Sequence, residues 1–194
     1  MPAPSDIAPT ALSAAGAPLA FAEQRLVSPA VISASAAAGS PPAVRLGILA
    51  SGNGSNFEAI AEAIEQGQLA AALAVVIYNN PDAGVAARAA RWQIPAILHD
   101  HRQFESREAL DQTLVETLRS HAVDWVIMAG WMRRVTHHLI EAFPDRMLNI
   151  HPSLLPSFPG LRAAEQALNA GVRISGCTVH YVELAVDSGP IIMQ

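Results

Sequence analysis

The chain has 194 residues, 51% of them hydrophobic and 15% charged, enough for one globular domain with a substantial core. A formal net charge of −5, with only 12 Lys and Arg scattered along the chain, argues against a nonspecific nucleic-acid surface, which needs clustered cations to release counterions; a local basic pocket for one phosphate stays open. No apolar run approaches the roughly 20 residues of a membrane-spanning helix, and the single cysteine, Cys177, excludes an intrachain disulfide and a cysteine-based metal site and fits a reducing cytoplasm.

Residues 1–43 are dominated by Ala, Ser and Pro, hold half of the 14 prolines and are charged only at Asp6, Glu23 and Arg25. This reads as a low-complexity, disordered extension, without the basic start and apolar core of a secretory signal or the arginines of a transit peptide. From Val44 the pattern becomes strand, loop, helix, repeated. Val44–Ala50 is an apolar run ending in Ser51-Gly52-Asn53-Gly54-Ser55-Asn56; a helix is expected over Asn56–Gln66 and a buried strand over Leu73–Tyr78. Gly84–Trp92 reads as a helix and Ile94–Leu98 as a short strand. Ser106–His121 is an amphipathic helix with Leu110, Leu114, Val115 and Leu118 along one face. Trp125–Ala129 is the next strand, Thr136–Phe143 a helix and Met147–Ile150 a strand. A Pro- and Gly-punctuated loop runs to Gly160, followed by a helix over Arg162–Ala170, a strand over Ile174–Val182 and a last apolar segment, Pro190–Gln194. Alternating β and α elements with continuous apolar strands imply an α/β fold, a doubly wound, mostly parallel sheet with helices on both faces.

Open sheets of this kind bind ligands beyond the carboxyl ends of their strands, where Ser51–Asn56, Gly130-Trp131-Met132 and Asn149–His151 all fall. The Ser51–Asn56 loop opens a helix, and its small residues let backbone N–H groups approach an anion; a plain tight turn is the alternative. It is neither a dinucleotide fingerprint, since Phe57 stands where a third glycine belongs, nor a Walker loop, since no Gly-Lys-Ser/Thr follows. Asn149 and His151, two apart on a strand, project from the same side. Alone, Asn149 also reads as a turn or capping residue, His151 as a structural histidine, and Asp187 as the first residue of an Asp-Ser-Gly-Pro turn. Cys177, in an alternating segment, is expected to be a small buried core residue rather than a nucleophile. The seven histidines give no His-x-x-x-His with an acidic third ligand, so no metal is expected. His99, His101, His121, His137 and His138 are expected at the surface, and His180 in a supporting role near the site.

Four motifs in order, SGNGSN at Ser51–Asn56, AGWMRR at Ala129–Arg134, NIHPSLLPSFPGL from Asn149, and VDSGPI at Val186–Ile191, resemble the phosphoribosylglycinamide formyltransferase family, the folate-dependent formyltransferases of purine synthesis, from about Val44 to Gln194. The resemblance implies a Rossmann-like formyltransferase fold over residues 44–194. It implies formyl transfer from 10-formyltetrahydrofolate, as co-substrate, to the amino group of glycinamide ribonucleotide. Gly54, Ser55 and Asn56 would hold the ribonucleotide's phosphate, and Trp131, Met132, Arg133, Arg134 and Asn149 the folate, with Leu139 and Val182–Val186 as further walls. In catalysis, Asn149 and protonated His151 would stabilise the tetrahedral oxyanion, while Asp187, paired with His151, would relay the amine's proton toward folate N10.

Two departures stand out. The family's domain continues past the counterpart of Pro190–Gln194, so this chain is expected to be truncated at its C-terminus, and Val182-Glu183-Leu184-Ala185-Val186 replaces a more polar, often glycine-containing loop. A 10-formyltetrahydrofolate hydrolase shares the asparagine, histidine and aspartate but uses water as acceptor, and an inactive ligand-binding remnant of the fold is a further alternative. A methionyl-tRNA formyltransferase would want a more basic surface. The expected partners are small molecules, without nucleic acid or membrane, for a cytoplasmic monomer or homodimer.

Overall fold

The computed structural model describes residues 43–194; the extension expected over residues 1–43 lies outside the described residues except for Ala43. In chain order the elements are β1 (Val44–Ala50), α1 (Ser55–Glu65), β2 (Ala71–Tyr78), α2 (Val85–Arg91), β3 (Ala96–Leu98), a 3-10 turn (His101–Gln103), α3 (Arg107–Ser120), β4 (Trp125–Met128), α4 (His137–Ala142), β5 (Met147–His151), α5 (Ala163–Asn169), β6 (Thr178–Tyr181) and β7 (Ile191–Met193). The seven strands form one sheet in the order β3-β2-β1-β4-β5-β6-β7. The first five in that order are mutually parallel, and β6 and β7 pair antiparallel.

Strand alternation sorts the core onto the two faces of the sheet. Leu49, Val75, Ile77, Val126, Met128 and Met147 point to one face, where they meet Leu110, Leu114 and Leu118 of α3 and Leu139 of α4. Leu46, Ile48, Ala50 and Val76 point to the other, against Phe57 of α1 and Val85 and Ala89 of α2. Each large side chain removed from water in these layers contributes about 1.5–3 kcal/mol, which is what holds two helical layers on a central sheet. The Ser106 hydroxyl caps α3 by accepting from the Ala109 amide at 3.0 Å, where the sequence signals its start.

The strand expected over Ile174–Val182 is confined to Thr178–Tyr181. Its partner β5 pairs over Leu148–His151 and is followed by Pro152, which has no N–H to continue a ladder, so residues before Thr178 have nothing to pair with. Cys177 is therefore exposed rather than a buried core residue. Of the histidines expected at the surface, His99, His101 and His121 are instead half-buried. They bond to the Thr117 hydroxyl at 2.9 Å, the Asn79 carbonyl at 3.0 Å and the Thr117 carbonyl at 2.9 Å respectively. His137 and His138 are exposed.

Candidate active site

The strand order reverses between β1 and β4: the chain leaves β1 toward β2 and β3, and α3 returns it to β4 on the opposite side of β1. Loops diverge at such a switch point and leave a crevice. In this fold two hydrogen bonds tie its rims. The Ser51 amide donates to the Gly130 carbonyl at 3.0 Å, and the Met132 amide donates to the Ser51 hydroxyl at 2.8 Å.

Beside this tie lies a cavity of about 390 Å³, within the range of small-molecule sites. The segment from Gly130 to Val135, the end of β5 from Asn149 to Pro152, Gly160–Arg162, His180 and the loop Val182–Asp187 line it. Trp131, Met132, Arg133, Arg134 and Asn149 thus share one cavity, as do Val182–Val186. Leu139, expected as a wall, does not. It is fully buried between α4 and the sheet, because its position on the short α4 faces the core. Among the described residues, Trp131 Nε1 and Arg133 Nε, on the lining segment, are buried N–H groups without a hydrogen-bond partner.

Asn149 and His151 stand on one side of β5, where the strand ends in the cavity. Asp187 arrives from the far end of the β6–β7 connection, turned inward by a left-handed backbone at φ 53°, a conformation aspartate tolerates better than most residues. The next turn is possible only with glycine, because a Cβ at Gly189 would lie 1.9 Å from the Tyr181 carbonyl oxygen. The result brings Asp187 Oδ2 to 3.2 Å from His151 Nδ1, with the two side chains 9% and 6% exposed. The Gly160 amide donates to the same Oδ2 at 2.7 Å, and Asn149 Nδ2 donates to Oδ1 at 3.5 Å. A carboxylate this buried is stable only with such donors around it.

The other ring nitrogen of His151, Nε2, donates to the Phe158 carbonyl at 2.9 Å. Both ring nitrogens thus face oxygen acceptors. Phe158 at φ 56° and Arg162 at φ 55° are also left-handed. Among the described residues, three of the six non-glycine positions with left-handed backbone, Phe158, Arg162 and Asp187, thus lie in the two segments that frame the site. His180, expected in a supporting role, is the cross-strand neighbour of Asn149 and touches it at 3.1 Å. The contributions of Phe158 and Gly160 come from backbone atoms and left no mark in side-chain patterns.

Gly54, Ser55 and Asn56 do not line this cavity. They form the start of α1, where no side chain caps the first turn and Ser55 and Asn56 are exposed. Gly54 has φ 78°, and a Cβ there would lie 2.7 Å from Cβ of Val85. Glu58, one turn into α1, is ion-paired with Arg88 and Arg91 of α2, so its charge is balanced where an anion would approach the helix N-terminus. Among the described residues, no group of three or more His, Cys, Asp or Glu side chains is placed to hold a metal ion, and no helix is long and apolar enough to cross a membrane.

Comparison with known proteins bears on the family and the fold. The sequence pattern of the formyl transferase family matches residues 44–194. A Bacillus subtilis protein named phosphoribosylglycinamide formyltransferase is 42% identical over 150 residues, 77% of each chain. The crystal structure of glycinamide ribonucleotide transformylase 1 from Symbiobacterium toebii superposes with a TM-score of 0.78 at 46% identity, covering 79% of this chain and 73% of that one. That of phosphoribosylglycinamide formyltransferase from Bacillus halodurans gives 0.75 at 44%, covering 77% of each. On sequence and fold together, the chain belongs to the formyl transferase family.

Proposed function

We propose that this cleft transfers the formyl group of 10-formyltetrahydrofolate to the amino group of glycinamide ribonucleotide, a step of purine biosynthesis, with Asn149, His151 and Asp187 as the reacting constellation. The observation that carries the assignment of roles is the 3.2 Å pair between His151 Nδ1 and Asp187 Oδ2, in a cavity that Asn149 also lines. Folate occupies the apolar cavity between Trp131–Arg134 and Val182–Val186. The ribonucleotide's phosphate rests on the amides at Gly54, Ser55 and Asn56.

The neutral amine attacks the formyl carbon, forming the new C–N bond and pushing the carbonyl electrons onto oxygen. Asn149 and the His151 imidazolium donate hydrogen bonds to that oxyanion. Because His151 Nε2 is bonded to the Phe158 carbonyl, that carbonyl gives way to the oxyanion as the substrates bind. Asp187, directly or through water, accepts the amine's proton and passes it to folate N10 as the C–N10 bond breaks. Holding two substrates in register supplies much of the rate gain.

Purified protein incubated with both substrates is expected to release tetrahydrofolate only when the ribonucleotide is present. Release without it would instead reveal a hydrolase, and no release in either case an inactive remnant. We further infer a cytoplasmic enzyme, monomeric or homodimeric; the exposed thiol of Cys177 suits a reducing compartment, and light scattering reads the assembly state.

A further inference from the structure

His180 has no part in the mechanism above, yet it is buried at 2% exposure beside the reacting groups. It faces Asn149 directly across the β5–β6 ladder, so both side chains stand on the same face of the sheet. Its Nδ1 lies 2.7 Å from the Tyr181 carbonyl oxygen. A carbonyl oxygen only accepts, so Nδ1 carries the proton, and in the neutral ring Nε2 is left with a lone pair. That lone pair lies 3.1 Å from Asn149 Nδ2, which donates to it.

Asp187 Oδ1, at 3.5 Å from the same Nδ2 and 3.7 Å from His180 Nε2, is a second acceptor on that side, and the Asn149 N–H group is the donor lying between the two. Were the amide turned over, its oxygen would face both the imidazole lone pair and a carboxylate oxygen, two repulsive contacts in a buried site. One amide hydrogen is thus anchored on His180. The second, only loosely engaged at 3.5 Å, is the one free to be captured by a formyl oxygen.

We propose that His180, as the neutral Nδ1–H tautomer, is a positioning residue: it selects the orientation of the Asn149 amide and so presents an N–H, rather than a carbonyl, to the developing oxyanion. In this role it acts through Asn149 rather than on the reacting atoms, although its ring also borders the cavity. The proposal rests on the formyl-transfer reading for its kinetic consequences, but the tautomer itself does not depend on that reading.

The first measurement is therefore made on the unliganded protein with 15N-labelled histidine. NMR of the ring nitrogens is expected to show His180 protonated at Nδ1 and bare at Nε2; a proton on Nε2 would overturn the proposal whatever the reaction. The second is kinetic. His180→Phe keeps the volume and removes the acceptor, and is expected to lower kcat about ten- to a hundredfold with both KM values within about threefold. His180→Gln, whose Oε1 reaches the place of Nε2, is expected to recover much of the loss. In an Asn149→Ala background, His180→Phe is expected to cost nothing further, because its route is already gone. An undiminished loss in that background would assign His180 a packing role and refute positioning. Should His180→Phe fail to fold, the same cycle is run with His180→Leu, which also removes the acceptor, and the tautomer measurement stands by itself. Formyl transfer by the unaltered protein, measured alongside, tests the reading of the reaction separately.

Discussion

The Met132 amide donates to the Ser51 hydroxyl at 2.8 Å, joining the end of β1 to the segment after β4. These two loops carry the proposed phosphate and folate subsites, so one small side chain spans both. Ser51→Ala leaves the Met132 amide without this acceptor, while the Ser51 backbone bond to Gly130 remains. A single hydrogen bond of net ~1 kcal/mol predicts a rise of about two- to tenfold in the folate KM. Steady-state kinetics decide the point: an unchanged KM would mean that Gly130–Arg133 holds its shape without Ser51.

Asp187→Asn and His151→Ala are each predicted to lower turnover by about 10²–10⁴-fold, the span expected for losing a positioned proton-transfer or oxyanion-stabilising group. Asn at 187 still offers an oxygen to the Gly160 amide, so the loop framing the site is expected to persist. Substrate dissociation constants, read by calorimetry, are expected to change little. Near-normal turnover from either variant would exclude that residue from the reacting constellation.

Asp111 of α3 is buried and accepts from the Thr136 amide at 2.5 Å, fixing the chain just after the cavity-lining segment. Burial raises its pKa above the ordinary value of 3.8. A carboxyl whose folded pKa is raised binds its proton more tightly in the native state, so its contribution to stability is greatest below the unfolded pKa and declines as pH rises through the folded pKa. Asp111→Asn keeps the acceptor without the charge. It is predicted to equal or exceed the unaltered protein in stability at pH 7, with the difference closing as pH falls below about 4. Asp111→Ala, which orphans the Thr136 amide, is predicted to lose about 1–3 kcal/mol. Urea titrations of the three proteins at several pH values make the comparison; an Asp111→Asn protein weaker at pH 7 than at pH 4, relative to the unaltered chain, contradicts it.

Gly189→Ala drives a Cβ to 1.9 Å from the Tyr181 carbonyl oxygen, a backbone atom that cannot rotate away. The chain around Asp187 must then shift. We predict a loss of about 1–3 kcal/mol together with a drop in kcat, measured by thermal melts and turnover; wild-type values for both would show that the turn is plastic.

Much of this molecule was legible as a linear pattern. Continuous apolar runs such as Val44–Ala50 and Leu73–Tyr78 mark strands buried on both faces, and the four-residue spacing of Leu110, Leu114 and Leu118 marks the inner stripe of α3, because strand and helix periodicities are local properties of the backbone. The motifs around Ser51–Asn56 and Asn149–His151 fall where strands β1 and β5 end, as the alternation of elements led one to expect. Strand β6 was over-extended because alternation says nothing about whether a partner strand is present, and Pro152 removes that partner beyond Thr178.

The linear order of residues was enough to establish the alternation of elements, the apolar stripe of α3 and the identity of the polar residues at the strand ends. It took the folded chain to bring Asp187 to His151, to complete that pair with backbone groups of Gly160 and Phe158, to turn Leu139 to the core, and to set His180 rather than solvent against the Asn149 amide. The reason is physical: hydrophobic period is written into neighbouring residues, whereas a hydrogen bond between residues dozens of positions apart depends on strand order, register and left-handed turns that no local pattern encodes.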